Sequence, residues 1–267
     1  MIQQIAKVLW NKKVGPSCHR LGLETGKGYL DAKPGQFVTV KTEDGFDPLL
    51  RRPFSIHRLI AGNDKIVQGI EVLFKVVGRS TMQFSKLKPE DSLSLLGPLG
   101  QGFSIPESHR KIIMVAGGIG IAPFLFLAEF LAEKGIDASC CKVLIGGRTK
   151  QDLLCIDDFK ALNIDTHIST DDGSCGHKGL ITDLLKEAME ENKPDIIFAC
   201  GPHLMLKAVA GIANRRSIRC QISLETIMVC GVGACLGCAV KVKDDSGKYG
   251  HVCVDGPVFD SRNILID

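Results

Sequence analysis

Over the first hundred residues, apolar positions come in short runs broken by turn residues. Residues 37–40 (FVTV) and 71–77 (EVLFKVV) carry the branched and aromatic side chains that strands favour. Pro34-Gly35 and Gly97-Pro98-Leu99-Gly100 read as turn punctuation between such runs. No long amphipathic helix interrupts them, so a small antiparallel barrel is expected over residues 1–103. From Lys111 the rhythm changes. Residues 112–116 form a buried-strand run, and residues 123–134 a helix closed by Gly135. Residues 143–145 read as a strand, 180–192 as a helix, 196–199 as a strand and 202–215 as a helix. Strands alternating with helices imply a parallel sheet covered on both faces, here over residues 104–218. After Arg219 the alternation stops, and a short segment rich in cysteine and glycine, residues 219–267, closes the chain.

Composition narrows the possibilities. The 267 residues are 45% apolar and 24% charged, which are globular values with room for two domains and a small appendage. A net charge of +3, with basic residues scattered, gives no footprint for nucleic acid. The N-terminal residues contain no apolar core of signal-peptide length. Residues 112–128 approach the length of a membrane span, but Gly117, Gly118, Gly120 and Pro123 break the run. A strand, a glycine turn and a helix account for it better. Eleven cysteines in a chain of this length, with no secretion signal, point to cofactor ligation in a reducing cytoplasm rather than to disulfides.

Four of the cysteines stand apart. Cys230, Cys235, Cys238 and Cys253 follow C-x4-C-x2-C with a distant fourth, the spacing of plant-type 2Fe-2S sites. Such a loop must wrap three thiolates round a cluster with its amides aimed at sulfur. Gly231, Gly233 and Gly237 are expected to allow that close approach and to supply positive φ. The run Lys243-Asp244-Asp245-Ser246-Gly247 reads as a hairpin turn that returns the chain with Cys253. Structural zinc is the competing assignment, but it usually takes two close cysteine pairs. The other seven cysteines read as small core residues.

Two further motifs suggest a flavin and a nucleotide. In Arg52-Pro53-Phe54-Ser55 the guanidinium can make forked bonds to a pyrophosphate, and the serine hydroxyl can face a flavin ring. A strand with Arg52 in a surface ion pair is the plainer reading of those four residues. The segment at residues 116–123 (AGGIGIAP) lies between a buried strand and a helix, where Gly117, Gly118 and Gly120 let a dinucleotide approach the backbone. It is not the G-x-G-x-x-G fingerprint, and a merely tight turn between strand and helix is the competing reading. Gly201-Pro202 repeats the strand–turn–helix arrangement near the end of the same domain. His203 after it reads as a surface residue at a helix start, not as a catalytic base.

Together these residues resemble the ferredoxin–NADP reductase superfamily. The motifs PGQF (34–37), RPFS (52–55), VVGRST (76–81), GPLGQGF (97–103), GGIGIAP (117–123) and CGP (200–202) occur in that family's order over nearly the whole chain. Within it, STDDGSCGHKG (169–179), CGVGACLGC (230–238) and CVDGPVF (253–259) look like the electron-transfer subunit of NAD-linked, two-subunit dihydroorotate dehydrogenases. The resemblance implies FAD contacts at Arg52, Pro53, Phe54, Ser55, Leu73, Phe74, Lys75, Ser80 and Thr81, and NAD(H) beside the glycine turns. It also implies an FMN-containing catalytic partner in a two-plus-two heterotetramer. Electrons would then pass from dihydroorotate, through the partner's FMN and the cluster, to FAD and NAD⁺. No side chain of this chain need serve as acid or base. Two positions depart from the family, which usually has Tyr at 74 and Gly at 80; Phe74 keeps a ring to stack but no hydroxyl.

The nearest rival is a subunit of an electron-bifurcating NADH-dependent ferredoxin:NADP oxidoreductase. That relative tends to carry Asp at the first cluster position, so Cys230 favours the dihydroorotate reading. A hydrogenase-associated reductase subunit is a second rival. A non-catalytic iron–sulfur scaffold or redox sensor is a third, against which the intact RPFS and GGIGIAP motifs argue.

Overall fold

The computed structural model describes residues 1–42, 48–62, 67–105, 111–243 and 247–266. Six strands close an antiparallel barrel: β1 (Ile2–Lys13), β2 (Cys18–Glu24), β3 (Phe37–Thr42), β4 (Arg52–Ala61), β5 (Val67–Lys75) and β6 (Ser92–Leu99). Their order round the barrel is β1-β2-β5-β4-β3-β6, and β1 pairs with β6 to seal it. In β6 burial alternates strictly, with Leu93, Leu95, Gly97 and Leu99 turned inward. That period of two is what a sheet with one face on a core requires. Gly97-Pro98-Leu99 is therefore the end of a strand, and only Gly100, at φ +72°, makes the expected turn. The barrel interior is filled by residues such as Val8, Leu23, Val40, Ile70 and Val72, with Phe74 and Phe84 at one end. A short helix, α1 (Arg79–Phe84), joins β5 to β6.

The second unit is built on a seven-stranded sheet. Its strands are β7 (Ile112–Gly117), β8 (Cys141–Gly147), β9 (Asp165–Thr170), β10 (His177–Lys178), β11 (Ile196–Cys200), β12 (Arg219–Ser223) and, near the C-terminus, β15 (Val258–Asp260). The order is β10-β9-β8-β7-β11-β12-β15, parallel except where β15 pairs with β12. The helices are α2 (Ala122–Glu133), α3 (Ile156–Ala161), α4 (Ile181–Glu191) and α5 (His203–Arg215). Every residue of β7 is buried because both sheet faces are covered. Ile113 and Val115 share one core with α4 and α5. Ile112, Met114 and Ala116 share the opposite core with α2 and α3. Among the described residues no helix is long and apolar enough to cross a membrane, and residues 112–128 form the expected strand, turn and helix.

The sheet runs past residue 218, where the sequence reading ended the nucleotide unit. β12 extends it beside β11, and β15 adds an edge strand from the last ten residues. The cysteine-rich segment lies between these two strands and adds a small hairpin, β13 (Ala239–Lys241) with β14 (Tyr249–His251). Of the turn expected at 243–247, residues 244–246 lie outside the described residues. Cys238, Val252 and Cys253 are buried in the same core as α4 and α5, so the segment is anchored in the sheet.

Barrel and sheet meet along α2. Phe126 of this helix is buried in the barrel core, while Phe124 and Leu127 face the sheet. Polar groups cross the same junction. Arg20 of β2 pairs with Asp158 of α3, and Arg58 of β4 with Glu129 of α2. Fully buried His57 of β4 lies 2.6 Å, through Nδ1, from the carbonyl oxygen of Ala122. A carbonyl can only accept, so Nδ1 carries the hydrogen.

Burial pushes His57 down from its ordinary 6.5 to about 4. The ring is thus neutral in the fold, and the unfolded chain gains a proton there as soon as the pH drops below 6.5. The stability this supplies is whole above pH 6.5 and is lost as the pH falls toward 4, at most about 3 kcal/mol over that window. Thermal unfolding followed from pH 7.5 to 4.5 should show a midpoint that falls less steeply for His57→Asn, whose amide does not titrate.

Candidate functional site

A cleft of about 330 Å³ opens where barrel and sheet meet. Arg52, Pro53, Phe54 and Ser55, at the start of β4, form one wall; Leu73, Phe74 and Lys75, at the end of β5, adjoin it with Thr81. Ile119, Ala122, Pro123 and Cys200 from the sheet unit face them. The lining is mostly apolar with a few convergent polar groups, the character of a site for a planar heterocycle with polar edges. The buried hydroxyl of Thr226, on this lining, has no hydrogen-bond partner within the protein, nor has that of Ser80 behind it. Unpaired buried hydroxyls are costly unless a ligand meets them, so the cleft fits a polar-edged cofactor such as a flavin.

Not every expected contact has the expected form. Phe74 is 1% exposed and its ring stacks on His19 at 5.5 Å and 19°, with Phe54 and Phe84 around it. The stacking surface left to it by the sequence reading is therefore already used inside the barrel. Ser80 is buried behind the cleft rather than on its lining. The Thr81 hydroxyl accepts from the amides of Val77 and Gly78, so it shapes the loop before α1. Arg52 lines the cleft while one guanidinium nitrogen donates to the carbonyls of Leu50 and Arg51; the surface ion pair weighed for it does not occur among the described residues.

The glycine turns lie at the carboxyl ends of β7 and β11. There the strand order reverses, because β8 and β11 flank β7, and such switch points open a crevice for ligands. A Cβ at Gly120 would stand 2.3 Å from the Cys200 carbonyl oxygen, so the residue is glycine because two loops touch there. Gly117 is held as closely by Met205 and Pro202, and Gly201 by Gly117. These glycines fasten the two turns together. Only Gly118, at φ +53°, faces open space and leaves its backbone accessible.

Beyond the cleft, the four cysteines are free thiols of one segment, two of them in direct contact. The Cys238 and Cys253 sulfurs are 3.3 Å apart and buried, while Cys230 is half-buried and Cys235 exposed. The amides of Val232 and Cys235 donate to Cys230 Sγ, both at 3.4 Å. Gly233 N donates to Cys253 Sγ at 3.2 Å, and Cys253 N to Cys238 Sγ at 3.5 Å. Gly231 and Gly233 have positive φ as expected; Gly237 does not, and Leu236 at φ +59° makes that bend. The amide of Val232 chiefly pulls the Cys230 thiol down, whereas burial pushes Cys253 up. Amides aimed at sulfur suit ligands that must carry negative charge, so this donor set fits an iron–sulfur cluster. Among the described residues no three His, Cys, Asp or Glu side chains converge as one metal ion would need. The remaining cysteines divide: Cys18, Cys141, Cys200 and Cys220 are core residues, while Cys140, Cys155 and Cys175 are only half-buried.

Comparison with known proteins agrees with this geometry. Residues 225–265 match the iron-sulfur cluster binding domain of dihydroorotate dehydrogenase B, and residues 114–211 the oxidoreductase NAD-binding domain. The electron transfer subunit of dihydroorotate dehydrogenase B (NAD(+)) from Desulforamulus reducens is 38% identical over 262 residues, covering 97% of each chain. The subunit of that name from Listeria welshimeri is 37% identical over 268 residues, covering all of both chains. The chain belongs to the family of dihydroorotate dehydrogenase B electron transfer subunits. The fold is shared more widely. An NADH-dependent reduced ferredoxin–NADP oxidoreductase studied for flavin-based electron bifurcation superposes with a TM-score of 0.84 at 30% identity, over 98% of this chain and 90% of that one. A ferredoxin NADP⁺ reductase from Neisseria gonorrhoeae superposes at 0.66 and 20% identity, over 80% of this chain and 91% of that one, a likeness of fold alone.

Several cleft residues of this family member escaped the sequence reading. Ser223, the last residue of β12, and Leu224, Glu225, Thr226 and Met228 after it line the cleft with Phe37 and Pro257. Glu225 is an exposed residue of this lining, and desolvation by the protein around it raises its carboxyl above the usual range. Ending the sheet at residue 218 hid these residues. Had residues 219–223 been read as a further parallel strand, the rule that ligands lie beyond carboxyl ends of strands would have pointed to them.

Cys235 is exposed, whereas Cys238 and Cys253 belong to the core under α4 and α5. Cys235→Ser should therefore lose the cluster and keep FAD, seen as loss of iron and acid-labile sulfide with flavin absorbance retained. Cys253→Ser should in addition lower the unfolding midpoint in the same assay series.

Proposed function

We propose that this chain passes electrons from an FMN-containing dihydroorotate dehydrogenase catalytic subunit, through a 2Fe-2S cluster and FAD, to NAD⁺. The chain is an oxidoreductase electron-transfer subunit whose cofactors are FAD, NAD(H) and a 2Fe-2S cluster. One observation carries the detailed reading. The segment after β12 lines the cleft as far as Met228 and, two residues later, begins the cysteine loop at Cys230. Flavin cleft and cluster loop are thus consecutive stretches of one strand-end. A 2Fe-2S cluster exchanges one electron at a time and nicotinamide takes two as hydride, and a flavin supplies the chemistry that joins them.

The chain's own residues bind and orient. Arg52 supplies positive charge for the pyrophosphate of FAD, and Pro53, Phe54 and Ser55 form the wall against its ring. Leu73, Phe74 and Lys75 close the adjoining side, with Phe74 contributing main chain and packing. Thr81 holds the loop at the entrance to α1, and the buried Ser80 hydroxyl beside it is left without a partner in the protein. Gly118 offers open backbone to the dinucleotide, while Gly117, Gly120, Gly201 and Pro202 keep the two turns in contact beneath it. Cys230, Cys235, Cys238 and Cys253 hold the cluster.

Discrimination between NAD(H) and NADP(H) rests on the loops after β8 and β9. The amides of Asp171 and Asp172 donate to the carbonyls of Gly147 and Arg148, so both loops share one rim. Asp171 and Asp172 are exposed there; Arg148, 3.7 Å from Asp152, and Lys150 are exposed on the neighbouring loop and count in the other direction. Carboxylates at this rim disfavour a 2′-phosphate and can accept a ribose hydroxyl. Steady-state kinetics should give a clearly higher kcat/KM for NADH than for NADPH, and equal values would refute the assignment.

The cluster loop supports a partner surface. Ile227, Val232, Ala234, Leu236 and Val254 are exposed around Cys235, an apolar rim that a subunit contact would cover. Two such subunits with two catalytic subunits make the proposed assembly, in the cytoplasm. The isolated chain should reduce dyes with NADH and fail to oxidise dihydroorotate. Co-expression with an FMN-containing catalytic subunit should give a stable complex that couples dihydroorotate to NAD⁺. Dihydroorotate:NAD⁺ activity in the chain alone would overturn the relay.

A further inference from the structure

The barrel–sheet junction contains a buried polar group that the relay leaves without a role. His57 is fully buried in β4, and its Nδ1 donates at 2.6 Å to the carbonyl of Ala122, the first residue of α2. His57 sits at a bulge in β4, where Ile56 pairs with Val72 and the next paired residue, Arg58, with Glu71, so simple alternation does not set its direction. Its contact with Ala122 does, and Ser55, two residues earlier on the same strand, lines the cleft. Ala122 and Pro123 line the opposite wall, directly after the turn at Gly118–Ile121. One strand thus carries both the wall assigned to the flavin and the side chain that ties down the turn assigned to the nicotinamide.

The surroundings favour a fixed ring over a titrating one. The groups facing it are Glu71 of β5, with Oε1 3.9 Å from Nε2, and Cys155, with Sγ at 3.9 Å. Arg20 is held on Asp158 and Cys155, and Arg58 on Glu129. The Cys155 Sγ contact at 3.9 Å is a long sulfur hydrogen bond and Glu71 lies beyond hydrogen-bond distance, so the short bond to Ala122 is the strongest of the contacts that orient the imidazole.

We propose that His57 is a positioning residue for hydride transfer: its Nδ1–H bond to Ala122 fixes the distance between the flavin wall and the nicotinamide turn. The proposal rests on the FAD and NAD(H) reading above. It requires that losing this bond slow the transfer without emptying either cofactor site. A displacement of the order of an ångström at reacting centres lowers rates by factors up to about a hundred.

Two polar variants of similar size separate this role from general stability. Asn places its amide nitrogen where Nδ1 stands; Gln places it near Nε2, away from Ala122. The full-length holoprotein is assayed for FAD and iron, and for flavin reduction by NADH in stopped flow. The absorbance band that NAD⁺ gives when stacked on reduced flavin is measured at equilibrium as a readout independent of rate. His57→Asn is expected to match the wild type within about twofold. His57→Gln is expected to keep full FAD and NADH affinity, reduce about tenfold more slowly and weaken the stacking band. Arg58→Met, which breaks the neighbouring junction pair with Glu129, is expected to lower the unfolding midpoint and leave the reduction rate unchanged. Equal rates and bands for the Asn and Gln variants would overturn the proposal, as would an equal slowing by Arg58→Met. A loaded wild-type protein that NADH does not reduce would overturn the functional reading and this inference with it.

Discussion

The packing of α2 between barrel and sheet is the contact on which the molecule depends. The helix buries Phe126 in the barrel core and Phe124 and Leu127 against the sheet. Neither unit has a complete site of its own. The barrel offers Arg52 to Ser55 and Leu73 to Lys75 on one wall; the sheet unit offers Ile119, Ala122, Pro123 and Cys200 on the other. The cleft exists only because both walls are brought against the same helix. Two polar pairs, Arg20 with Asp158 and Arg58 with Glu129, cross the same junction and add to its stability.

The cysteine segment extends the same logic. It leaves the sheet after β12, lines the cleft, forms the cluster loop and returns as β15 on the sheet edge. Gly231 lies against Thr39 and Leu99 of the barrel, while Cys238 and Cys253 are buried with α4 and α5. The loop is therefore held by both units, with Cys235 and Leu236 left at the surface. For electron transfer this is a useful arrangement: one end of the loop borders the cleft and the other faces outward.

Some of this was legible in the residues. The short apolar runs of the first hundred residues specify strands, and the fully apolar runs near Ile112 and Ile196 specify strands buried on both faces, as β7 and β11 prove to be. The cysteine spacing fixed a cluster loop, because ligand spacing along the chain is a local property. The glycines carry a second reason for their size: Gly117, Gly120 and Gly201 lie where the turns after β7 and β11 touch one another. A sequence cannot distinguish a glycine that makes room for a ligand from one that makes room for its own backbone.

By itself, then, the sequence determined the elements, the cysteine loop and the family, since each depends on residues near one another along the chain or on their order. Tertiary structure decided the rest. It placed β12 and β15 in the sheet, brought Ser223 to Met228 to the cleft, turned Phe74 into the barrel, and set His57 against Ala122. Those outcomes join residues far apart in the chain, as with His57 and Ala122, 65 residues apart. They are governed by which buried surfaces pack together, and no local pattern of apolar and polar residues records that choice.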